Sequence, residues 1–74
     1  MAEVEWAARA GGLLRGELRR RGIADRELAH RLTLMGLPTT ERDVTATIDG
    51  GVFPATFLVQ CFEAMGAPVI HLDF

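Results

Sequence analysis

Lysine is absent from this 74-residue chain, so all eight of its basic side chains are arginines. That bias reads as coding preference rather than mechanism, although arginine does suit bidentate contacts to carboxylate or phosphate. A single cysteine, Cys61, excludes an internal disulfide. Its place in an apolar helical pattern marks it as a small buried filler rather than a nucleophile, and a reducing cytoplasm is the expected compartment. No apolar run approaches the ~20 residues needed to span a membrane. Met1 to Arg9 carries two glutamates where a secretory signal would carry positive charge, so neither export nor membrane insertion is expected. There is no histidine and acid at an interpretable spacing, no activated-nucleophile motif, and too little chain to enclose a substantial pocket. Catalysis, a cofactor and a metal are therefore not expected. His30 has no cysteine, histidine or carboxylate at ligand spacing on its own helical face and reads as a solvated side chain.

What is present belongs to a folded chain. Apolar residues make up 49% and charged residues 24%, well outside the disordered regime. The length allows one domain over residues 1–74, with a core expected over 13–66. So short a chain hides only about 60% of the surface that its unfolded form exposes, which leaves a thin stability margin and makes oligomerisation a natural supplement.

Charge is divided unevenly. From Met1 to Leu37 there are seven arginines against five acids, whereas from Pro38 to Phe74 Arg42 stands alone against Glu41, Asp43, Asp49, Glu63 and Asp73. Phosphate contacts supply most non-specific affinity for DNA, so the first half would attract a duplex and the second half would repel it.

Apolar periodicity organises the chain into four helices. Trp6, Ala10, Leu14 and Leu18 follow at four-residue steps beside Leu13, which predicts a helix over about Val4 to Arg21. Gly11, Gly12 and Gly16 weaken it, so its first turns are expected to fray or to begin near Gly12 unless a neighbour needs close approach. Arg15 and Arg19 share one side, and Arg20 and Arg21 complete a cationic cluster in the last turn, where the helix dipole favours it. A second helix is expected from Ala24 or Asp25 to about Met35, with Leu28, Ala29, Leu32 and Met35 inward. It has the length of the supporting helix of a helix-turn-helix unit.

Thr40 followed by Asp43 resembles a shortened capping box and opens a third helix, with Val44 and Ile48 inward and Glu41, Arg42, Thr45, Ala46 and Asp49 outward. This is where a DNA-reading helix would lie. Asp49, Gly50 and Gly51 form a turn; no upstream strand and no following lysine makes them a phosphate cradle. Pro54 is placed as the first residue of a fourth helix whose Phe57, Leu58, Cys61, Phe62 and Met65 share one buried face. Val59 and Ala55 fall outside that face, as at a subunit contact or as scattered exposed apolar residues. In the tail, Ile70, Leu72 and Phe74 alternate with Val69, His71 and Asp73, and a two-residue period predicts a β-strand over 69–74. A lone strand must pair, either with residues around Ala2 to Val4 or with its own copy across a two-fold axis. The expected dimer interface is therefore Val59, Val69, Ile70, His71, Leu72 and Phe74.

Three stretches carry a family resemblance: Gly16-Glu17-Leu18-Arg19-Arg20-Arg21-Gly22; Glu27-Leu28-Ala29 with Arg31-Leu32; and Phe53-Pro54-Ala55 through Gln60-Cys61-Phe62-Glu63-Ala64-Met65-Gly66. Together they resemble a group of small bacterial domains of unknown function that are similar to lambda-repressor-like helix-turn-helix domains. The resemblance runs from Leu14 to Gly66. It implies an all-α, compact four-helix domain whose third helix enters the major groove of double-stranded DNA, with Thr40, Glu41, Arg42 and Thr45 near base edges.

Two functions follow as expectations. One is a homodimeric helix-turn-helix protein, DNA-binding or transcription-associated, with Arg15, Arg19, Arg20 and Arg21 on phosphates and Arg42 and Thr45 nearer the bases. The other is a protein-interaction or assembly module that keeps the fold without binding DNA, a reading favoured by the acidic second half, by Val59 and by the terminal strand.

Overall fold

Nineteen residues without a proline run as one unbroken helix, α1, from Glu3 to Arg21. Glu3 and Glu5 occupy its first turn and Arg19, Arg20 and Arg21 its last, so both ends complement the helix dipole. The computed structural model describes residues 2–66, which are all-α: α1 is followed by α2 (Asp25–Leu34), α3 (Glu41–Gly50) and α4 (Ala55–Ala64). Helix α3 packs on both α1 and α2, and α4 packs on α2.

One small core joins the four helices. Leu14 and Leu18 of α1, Leu28, Ala29 and Leu32 of α2, Val44 and Ile48 of α3, and Cys61 with Met65 at the end of α4 are buried. Ile23, Leu37, Phe53, Phe57, Leu58 and Phe62 close its edges while half-buried, and the Phe53 and Phe57 rings meet tilted at 55° with their centroids 5.3 Å apart. No buried side-chain nitrogen or oxygen among the described residues lacks a partner.

The glycines of α1 do not delay its start. Gly11 lies inside the helix, packed so closely on α3 that a Cβ there would stand 2.4 Å from the Ile48 carbonyl oxygen. Gly51 makes the complementary approach: it caps α3 at φ 70°, and a Cβ on it would stand 1.9 Å from the carbonyl oxygen of Ala7. Those two contacts set the rotation of α1. Ala7, Gly11, Leu14 and Leu18 turn inward, while Trp6 and Leu13, expected on the buried stripe, are 55% and 62% exposed. Backbone proximity won over side-chain size.

Boundaries differ slightly from expectation. Met35 lies just past α2 and is exposed, and α3 extends through Gly50. Pro54 is the N-cap of α4 rather than its first residue.

The C-terminal strand needs a larger correction. The described residues are helical with no strand among them, and of the suggested intramolecular partners around Ala2 to Val4, Ala2 is the N-cap of α1 and Glu3 and Val4 lie within it. A homodimer joined through such a strand is therefore not supported. Val69, Ile70, His71, Leu72 and Phe74 lie outside the described residues. Among those described, no helix is long and apolar enough to cross a membrane.

Candidate nucleic-acid interface

Val44 and Ile48 anchor α3 in the core, so the opposite side of that helix faces solvent. Arg42 and Ala46, one turn apart, are exposed on it. Thr40 lies at the N-terminus, where its side chain accepts the Asp43 backbone N–H at 3.1 Å. This is one half of the expected capping box, and it commits the Thr40 hydroxyl to helix initiation.

A second stripe of α3, formed by Glu41, Thr45 and Asp49 at four-residue steps, faces the neighbouring helices. Thr45 Oγ1 donates to Asp25 Oδ2 at 2.5 Å. The other oxygen of Asp25 accepts from Arg15 Nη1, and Arg15 Nη2 reaches Asp49 Oδ1 at 3.1 Å. Helices α1, α2 and α3 thus meet in one polar network. Farther toward the start of α3, Arg26 Nε approaches Glu41 Oε2 at 3.8 Å.

The electrostatics follow from this geometry. The Arg15 guanidinium, helped by the Thr45 hydroxyl and opposed by partial burial, holds the Asp25 carboxyl below its ordinary value. Reciprocally, the Asp25 carboxylate raises Arg15 further, with Asp49 contributing and burial opposing. Arg15 is therefore an internal clamp rather than a free phosphate ligand, and Thr45 is turned to Asp25 rather than outward.

The remaining arginines of the expected phosphate surface divide in two. Arg20 and Arg21 both reach Glu17 along α1, lowering its carboxyl below the ordinary value, mainly through Arg20. Arg19 is exposed and in no ion pair among the described residues. On α2, Arg31 binds Glu27 at 3.0 Å and also donates to the Ala64 carbonyl at 3.2 Å, tying α2 to the end of α4. Spacing alone marks Glu17 with Arg21 and Glu27 with Arg31 as helical pairs. Nothing local marks Asp25 as the partner of Arg15 and Thr45, because those contacts join residues ten and twenty positions apart.

Other candidate chemistry is sparse. Cys61 is fully buried, and burial pushes its thiol up to about 12, so it is protonated at neutral pH. Among the described residues no group of three histidine, cysteine or acidic side chains is placed to hold a metal ion. An open groove between the α2–α3 connection and α4 is lined by Leu32, Leu37, Pro38, Thr39, Phe57 and Gln60, none of them titratable. Val59 is 56% exposed, away from the core.

No curated protein and no solved structure matches the chain. A family model does match, over residues 6–70, and by that match the chain belongs to the DUF6471 family, described as a domain of unknown function.

Proposed function

We propose that α2, the connection over 35–40 and α3 act as a helix-turn-helix unit of the lambda-repressor type, and that the domain is a DNA-binding or transcription-associated protein docking through α3. The charge arrangement on α3 carries this reading. Of the acids on α3 that would repel a duplex, Glu41 and Asp49 lie beside Arg26 and Arg15 while Asp43 is exposed and in no ion pair among the described residues; Arg42 is exposed and likewise has no acidic partner among them. The basic side chain of this helix is thereby left for a phosphate or a base edge, with the small Ala46 one turn along permitting close approach. Exposed Arg19 adds a second cation. Arg20 and Arg21 hold Glu17 only through surface pairs, which contribute little and can exchange for phosphate.

The second reading is a protein-interaction module. It is favoured by the internal use of Arg15, Arg20, Arg21, Arg26 and Arg31, which leaves three of the eight arginines without an ion pair among the described residues. Fluorescence anisotropy with random-sequence duplex DNA over a salt series separates the two. DNA binding predicts micromolar affinity that weakens steeply with salt, and a log–log salt slope reduced by about 1 in Arg42→Ala. Absence of binding at about 50 mM salt removes the DNA reading in favour of the protein partner.

A further inference from the structure

The side of α1 turned away from the core has the character of a contact surface. Leu14 and Leu18 point inward, so a helix of 3.6 residues per turn presents Trp6, Arg9, Gly12, Leu13, Gly16 and Arg20 on the outer side. Trp6 and Leu13 are exposed there, and Arg9 covers one part of the Trp6 ring at 5.7 Å from its centroid. Gly12 and Gly16 are poor helix formers, yet a Cβ on either would meet no atom within 4 Å. Unlike Gly11, they are not required by packing among the described residues.

Charge indicates what covers this face. Glu3 and Glu5 lie at one end of α1 and Arg19, Arg20 and Arg21 at the other. Neither glutamate is in an ion pair among the described residues. We propose that the outer face of α1 binds the same face of a second copy, the two helices running antiparallel about a two-fold axis between Gly12 and Leu13. Leu13 of each chain then sits over Gly12 of the other, and Glu5 faces Arg20. A parallel pairing would set Glu5 against Glu5 and Arg20 against Arg20, so charge selects the antiparallel register. Two-fold closure ends the assembly at a dimer. This contact uses only described residues and is separate from any strand pairing.

Sedimentation velocity of the full chain from micromolar to millimolar concentration tests the proposal. The wild-type chain forms a dimer, and Leu13→Arg weakens it by about tenfold or more while circular dichroism shows the helical signal unchanged. Glu5→Arg and Arg20→Glu each weaken self-association, because each sets like charges together across the axis. Mixed in equal amounts, these two variants form a heterodimer in which both cross-axis contacts are again opposite in sign. A wild-type chain that stays monomeric throughout, a dimer unmoved by Leu13→Arg, or charge variants that fail to associate on mixing would each overturn the proposal.

Discussion

Thr45 on α3 donates its hydroxyl to Asp25, the first residue of α2, at 2.5 Å. The same carboxylate accepts from Arg15 on α1, so a single acid bridges three of the four helices. Position and not sequence proximity makes Asp25 the organising polar residue, and its side chain is only 14% exposed.

Replacing Asp25 with alanine is expected to destabilise the fold by about 1–3 kcal/mol, because it removes charge-assisted hydrogen bonds and leaves Arg15 to Asp49 alone. Thr45→Val should cost less, about 0.5–1.5 kcal/mol for one hydrogen bond. In urea unfolding the double variant should show the two losses to be non-additive, since both act on one carboxylate. Additive losses would mean that the contact contributes nothing.

Acid should weaken the domain through the same residue. Asp25 and Glu17 both titrate below their ordinary values of 3.8 and 4.5 in the folded chain, so the folded state binds fewer protons than the unfolded one at acid pH. Their contribution is complete well above those ordinary values and is lost as pH falls through them toward the lower folded values. The urea midpoint should therefore drop across that window, and Asp25→Asn should flatten the drop while lowering the plateau at neutral pH.

Gly11→Ala and Gly16→Ala should have opposite signs despite sharing one helix. Alanine at Gly16 meets open space and should stabilise α1 by roughly 0.5–1 kcal/mol. At Gly11 the added methyl runs into the Ile48 carbonyl, forcing α1 from α3 at a cost of about 1–3 kcal/mol. Thermal unfolding in dilute solution reads both, and a stabilised Gly11→Ala would show that the close approach is not required.

Cys61 should resist alkylation. With its thiol buried and pushed up to about 12, iodoacetamide at mildly alkaline pH should label it only as fast as the domain opens. Adding urea to the transition midpoint should accelerate labelling steeply. Rapid labelling of the folded chain would place Cys61 in solvent.

Much of the helical architecture was legible from local signals. Leu28, Ala29 and Leu32 repeat at helical spacing, Val44 and Ile48 are one turn apart, and Thr40 announces the start of α3; all behave as those signals predict. The candidate interface was less legible. Arg42 was identifiable by its position on α3, but Thr45 and Arg15 read equally well as free polar groups, because their common partner Asp25 comes from another helix.

By itself, the sequence determined four helices, their approximate limits and most of the core, because turn residues and apolar spacing act over a few positions. Only the tertiary structure decided the rotation of α1 and the fate of the charges. Two glycines let backbones come closer than any side chain allows, turning Trp6 and Leu13 outward. That same packing brought Arg15, Asp25, Thr45 and Asp49 together from three helices into one polar network. Local periodicity carries no information about such distances, which depend on how whole helices meet.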